Sequence, residues 1–149
     1  MKYDIVHSID IATTSDRLYE AITTQEGLAG WWTPQVKAQT TIGTVNEFYF
    51  RGTILKFRVD QLEPTHHVTW SSVYVPQDWE GTQVLFDIVS DGDTVNLKFC
   101  HTGFASPDGS FGVTSYSWAQ YVRSLKMLLE TGKGEPFGSK GSRIAGTTH

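Results

Sequence analysis

A single cysteine, Cys100, stands in the 149 residues, which excludes an intrachain disulfide framework and any cysteine-rich zinc site. Positive charge is also in short supply. The 12 Lys+Arg face 16 Asp+Glu, a net charge of −4 with a pI near 5.7, which argues against a nucleic-acid partner held by its phosphates, since that needs a basic face. Long apolar runs are missing: a membrane-spanning helix needs about 20 apolar residues, whereas uninterrupted runs here are short ones such as Val84-Leu85-Phe86. Near the N-terminus, Asp4 and Asp10 fall where a secretion signal has a clean apolar stretch, and neither end carries a lipidation signal. A cytoplasmic protein without membrane insertion is the expectation.

Ligating and nucleophilic signatures are equally scarce. No Cys-x-x-Cys, His-x-x-x-His or facial carboxylate spacing occurs. His66 and His67 are consecutive, as are Cys100 and His101, and consecutive strand residues face apart and cannot share an ion. No metal or cofactor is therefore expected. Gly109-Ser110-Phe111-Gly112 lacks the nucleophile-elbow spacing, and Gly132-Lys133-Gly134 and Gly138-Ser139-Lys140-Gly141 lack that of a phosphate loop. Asp78 and Glu80, which flank Trp79, read as a solvated loop, and Asp91 and Asp93 as turn residues.

What remains is flat and apolar. Hydrophobic residues make up 39% and aromatic residues 13% of the chain, with Trp 5, Tyr 6 and Phe 8. That is too much apolar surface for disorder, and this length suits one domain with a real core. Tyr3–Ile11 alternates as a half-buried strand with Ile5, His7, Ile9 and Ile11 on one face. Ala12–Asp16 offers helix caps before Leu18, Ala21 and Ile22, and a second short helix is read over Glu26–Trp32. Val45–Phe50, Thr53–Leu62, His67–Val75, Thr82–Val89 and Thr94–Thr102 read as strands, the last two joined through Asp91-Gly92 as a hairpin. A long helix follows over Val113–Thr131, with Trp118, Tyr121, Val122, Leu125, Leu128 and Leu129 on one face and Gly132 as its stop. The Gly/Ser/Lys/Thr-rich stretch from Lys133 reads as a loosely packed tail.

One antiparallel sheet and one long striped helix are most simply combined by curling the sheet around the helix, an α+β arrangement. Alternation points Phe48, Phe50, Leu55, Phe57, Val59, Val68, Trp70, Val84, Phe86, Ile88, Val95, Leu97, Phe99 and His101 inward. Because adjacent indoles on a short helix cannot both face one core, one of Trp31 and Trp32 is expected at a cavity mouth or partner surface, and Trp79 in its polar loop raises the same expectation.

Several segments carry a family resemblance. Ser8-Ile9-Asp10-Ile11-Ala12, Leu28-Ala29-Gly30-Trp31-Trp32, and Glu63-Pro64 followed by Val68-Thr69-Trp70 resemble the START-like superfamily, also called SRPBCC or Bet v-like helix-grip proteins. His101-Thr102-Gly103-Phe104, Trp118 to Gly132 and Gly134-Glu135-Pro136-Phe137 resemble the branch related to the C-terminal domain of the activator of heat-shock-protein-ninety ATPase, with Thr102 in place of the usual Ser. The resemblance spans about residues 3–137. It implies a START-like domain over 1–137 with a tail over 138–149, a seven-stranded antiparallel sheet gripping the C-terminal helix, two short helices after the first strand, and a cavity for a hydrophobic or amphipathic molecule. Members of the superfamily include lipid carriers, hormone receptors, aromatic cyclases and a co-chaperone domain, so the fold alone selects no activity.

Three functional readings follow. The first is non-catalytic binding of a hydrophobic small molecule, such as a lipid, in a hollow several hundred cubic ångströms in volume. Its walls would be Trp32, Phe48, Phe57, Trp70, Phe86, Phe99 and Trp118, with His101 and Tyr121 as polar discriminators. The second is a cyclase, dehydratase or hydrolase acting on an aromatic or polyketide-like substrate, with His101 as acid or base. A structural role for His101, bonded to nearby backbone, competes with it. The third is a chaperone-associated interaction module using Trp31, Trp79 or the tail. The surplus of tryptophans also suggests a homodimer.

Overall fold

The computed structural model describes residues 2–140. In chain order it contains β1 (Tyr3–Ile11), α1 (Ser15–Thr23), α2 (Gln25–Trp31), β2 (Val36–Lys37), β3 (Val45–Phe50), β4 (Thr53–Glu63), β5 (His67–Tyr74), β6 (Gln83–Asp91), β7 (Thr94–Phe104) and α3 (Phe111–Thr131). The strands form one antiparallel sheet in the order β1-β7-β6-β5-β4-β3-β2. The α+β helix-grip arrangement is thus the observed fold. Alternation alone does not reveal β2, because two residues are too few to show a period.

Local chemistry sets the boundaries. Thr14 caps α1 by accepting from Arg17 N, and Thr24 caps α2 by accepting from Gly27 N while its own N–H closes α1 on Glu20 O. This shared residue folds the two short helices tightly together. At Gly27 a Cβ would lie 2.5 Å from Ala21 Cα, so the position has room only for glycine. Gly92 turns the β6–β7 hairpin at φ 64°, and Gly132 ends α3 at φ 88°.

Every residue that alternation points inward on β3 to β7 is buried, from Phe48 to His101. The stretch after α3 is more tightly held than its composition suggests. Ser124 Oγ accepts from Glu135 N, Trp32 O accepts from Phe137 N, and the Phe137 ring meets Phe50 edge-on at 5.2 Å. The greater part of the expected 138–149 tail, residues 141–149, lies outside the described residues.

Candidate functional site

The concave sheet face brings Phe48, Phe57, Trp70, Phe86, Phe99 and His101 together, α3 lays Trp118 and Tyr121 across them, and the end of α2 inserts Trp32 between the two layers. Trp32 is the hub. Its ring lies 4.4 Å from Phe48, 4.9 Å from Trp118, 6.0 Å from Trp70 and 6.3 Å from Phe57. Phe99 meets Trp118 at 4.5 Å, and Trp70 meets Phe86 at 5.0 Å. The seven predicted wall residues and the two polar discriminators, His101 and Tyr121, are therefore in one place, and all nine are buried.

They do not, however, enclose the expected hollow. What remains between sheet and helix is a crevice lined by Trp32, Trp79, Thr114, Ser117, Trp118 and Tyr121, with no room for a water molecule. The reason is volume: interlocked indoles occupy the space that the sheet's curvature opens. The tryptophan expectation is corrected as well. Trp31, Trp32 and Trp79 are 0%, 1% and 3% exposed. Trp31 donates its Nε1–H to Ala21 O at 2.8 Å, and the two adjacent rings stack at 14° with both buried, Trp32 standing as the α2 cap with its N–H on Leu28 O. Trp79 donates to Thr114 Oγ1 at 3.2 Å.

His101 sits at the bottom of this layer with no exposure. Trp118 Nε1–H donates to its Nδ1 at 3.0 Å. An indole N–H is only a donor, so Nδ1 must be bare and the proton sits on Nε2. From there it is donated to Thr82 Oγ1 at 2.9 Å, and Thr82 passes its own proton to Trp79 O at 2.6 Å. Burial drives the His101 pKa down to about 3, so the ring is neutral and engaged at both nitrogens. That is the geometry of a keystone tying β7, α3 and the Trp79 loop. Its partner Thr82, and Thr114, which accepts from Trp79, escape sequence reasoning, since small hydroxyl residues carry no periodic signal.

His7 does not join this chain. It pairs across the strands with Phe99, stacks on that ring, and bonds Ser115 O through Nε2 at 3.1 Å. On the convex face His67 bonds Asp87 and Thr69, each at 2.5 Å, an order resembling a nucleophile triad. Thr69 is only 5% exposed and donates to Gln61, so this chain is structural. Asp78 is exposed in its loop, as read, and also accepts from both Ser110 N and Ser110 Oγ at the start of α3. Among the described residues, no group of three or more His, Cys, Asp or Glu converges as a metal site, and no helix is long and apolar enough to cross a membrane.

Comparison with known proteins adds the following. The family described as Activator of Hsp90 ATPase homolog 1-like protein matches residues 12–130. No curated protein matches the chain. The solution structure of the Aha1 dimer from Colwellia psychrerythraea superposes with a TM-score of 0.83 at 30% identity, covering 89% of this chain and 99% of that one. Protein MLL2253 from Mesorhizobium loti superposes at 0.76 with 17% identity, covering 85% of this chain and 96% of its own. CalU16 from Micromonospora echinospora superposes at 0.71 with 19% identity, over 97% and 82% of the two chains. At those identities the last two share the fold alone.

Proposed function

The chain belongs to the Activator of Hsp90 ATPase homolog 1-like family, and from that premise we propose that it binds a small, flat hydrophobic or amphipathic molecule, without catalysis, in the seam between the sheet and α3. One observation carries this reading. Beside the Trp32, Trp79 and Trp118 rings, α3 sets the hydroxyls of Ser117 and Tyr121 into the same crevice, polar groups at a seam otherwise walled by indoles. The crevice is closed, so entry requires Trp79 to move. Trp79 rides on a three-residue 3-10 turn, Gln77–Trp79, between Pro76 and Gly81, and a single 3.2 Å bond to Thr114 holds its indole nitrogen. A guest would take the place of that indole beside Trp32, Trp118 and Tyr121, with Phe48, Phe57, Trp70, Phe86 and Phe99 as the rigid floor and His101 fixed beneath it.

A cyclase-, dehydratase- or hydrolase-type reaction would ask His101 to move a proton, and both its nitrogens are engaged within the core. A chaperone contact through Trp31 or Trp79 would ask buried rings to be surface ones. The binding reading stands ahead of both. It is tested by titrating the ¹⁵N-labelled protein with a neutral naphthalene-type probe. Amide shifts at Trp79, Thr114, Ser117 and Tyr121, abolished in Ser117→Phe, are expected. Shifts confined to other surfaces, or equal binding by the filled variant, would overturn it.

Self-association is proposed on the edge strand. The relative from Colwellia psychrerythraea is a dimer, and β1 has β7 on one side only. Lys126 and Glu130 cover the open edge at Asp10 and Ala12, while Asp4, Val6 and Ser8 lie exposed along it, Val6 at 52%. An antiparallel copy centred on Val6 sets Lys2 opposite Asp10 at both ends. Light scattering should give twice the monomer mass, reverting to monomer in Val6→Lys; a monomeric parent protein would refute the pairing.

A further inference from the structure

A large open hollow lies away from the sheet–helix seam. It is a groove of about 470 Å³ between the segment Thr33–Gln35, Tyr49 on β3 with Arg51 in the turn after it, and the turn Pro136–Ser139 that follows α3. That volume falls within the range of small-molecule sites. Its walls are flat and apolar: Pro34, Pro136, the Phe137 ring and the Tyr49 ring. The frame is rigid, since Thr33 Oγ1 donates to Tyr49 O at 2.7 Å, Tyr49 N to Gln35 O at 2.9 Å, and Phe137 N to Trp32 O at 2.8 Å.

Two polar groups within it lack partners. The exposed Arg51 guanidinium makes no ion pair or hydrogen bond among the described residues, like that of Arg17 and unlike those of Arg58 and Arg123, which are matched to carboxylates. No acidic side chain lines its groove, in contrast to the shallow hollow at Arg17, which also carries Glu20 and Glu26. The Ser139 hydroxyl is shielded from solvent and has no hydrogen-bond partner among the described residues. A buried hydroxyl without a partner costs free energy until something supplies one.

From these observations we infer that the groove is a binding site for a small aromatic carboxylate. The guanidinium fork of Arg51 matches a carboxylate in bidentate fashion. The Ser139 hydroxyl, shielded as it stands, turns into the groove about its χ1 and donates to one of the same oxygens, and the ring lies between the proline and aromatic walls. A bare inorganic anion would leave those walls wetted, and a neutral aromatic would leave Arg51 unmatched. The site is independent of the seam, so either can fail without the other.

The test is an amide chemical-shift titration with benzoate, alongside benzyl alcohol and inorganic phosphate. Saturable shifts at Tyr49, Arg51, Phe137 and Gly138 are expected with benzoate, and much weaker ones with the other two. Arg51→Ala should weaken benzoate binding about tenfold, Arg51→Lys less, and Ser139→Ala about threefold. Both positions lie outside the hydrophobic core, and unchanged melting temperatures will show that the variants are folded. The inference is overturned by benzoate shifts that cluster at Thr114, Ser117 and Tyr121 instead, by equal response to phosphate or benzyl alcohol, by unchanged binding in Arg51→Ala, or by no response at about 10 mM benzoate, where even a millimolar site would be mostly filled.

Discussion

Acidification should unfold this protein partly through one imidazole. In the unfolded chain His101 takes up a proton near its ordinary pKa of 6.5, whereas in the fold burial holds it to about 3. Between those values the unfolded state binds the extra proton, so stability is complete above pH 6.5, falls as pH drops through the window, and levels off only below about 3. Each pH unit within the window is worth about 1.4 kcal/mol. Moving from pH 7 to pH 5 crosses roughly 1.5 of those units and should remove about 2 kcal/mol, a large part of the 5–15 kcal/mol typical of a domain. Urea unfolding at the two pH values reads this directly, as a midpoint lower by about 1 M at pH 5 for a slope of about 2 kcal/mol per molar. His101→Gln supplies the control, because an amide still offers a donor to Thr82 and an acceptor to Trp118 but does not titrate. The variant will be less stable at neutral pH, and its loss between pH 7 and 5 should be smaller by about 2 kcal/mol. The remaining four of the 5 histidines cancel in that difference. Parallel losses in the two proteins would refute the account of a neutral, sealed His101.

Trp118→Phe removes the indole N–H that satisfies His101 Nδ1 and should cost about 2–4 kcal/mol in urea unfolding, combining an unmatched buried acceptor with lost volume. Gly27→Ala forces a Cβ into the α1 backbone, with Glu20 O 2.6 Å away, and should lower stability by about 2–3 kcal/mol; a loss under 0.5 kcal/mol would mean that the two helices part easily. Asp78→Ala frees Ser110 at the start of α3 and should cost about 1 kcal/mol by thermal denaturation. Arg123→Ala breaks an exposed pair with Glu135 and should change stability by less than about 1 kcal/mol.

The fold was legible because its signals are periodic. The inward rows of β3 to β7 follow from alternation, since a strand with one buried face must repeat every second residue, and the hairpin at Gly92 and the stop at Gly132 follow from backbone angles that glycine adopts easily. The wall of the candidate site was legible for the same reason. The state of the space inside it was not. A void is a small difference between sheet curvature and ring volumes, and no period in the residues encodes it. The fates of Trp31 and Trp79 were hidden differently, as each indole is anchored by one partner on another helix, Ala21 O or Thr114.

The sheet's first strand neighbours its last: Tyr3 pairs with Phe104 and Ile11 with Val95. During synthesis at about 5–20 residues per second, β1 waits several seconds for the strand that completes it. Until then the nascent chain presents β1 and the growing β3–β6 meander as separate unpaired edges above a half-built layer of indoles. The α3 stripe emerges later still. Closure is thus a late, non-local event, of the kind that makes refolding slow and a holding factor at the ribosome useful.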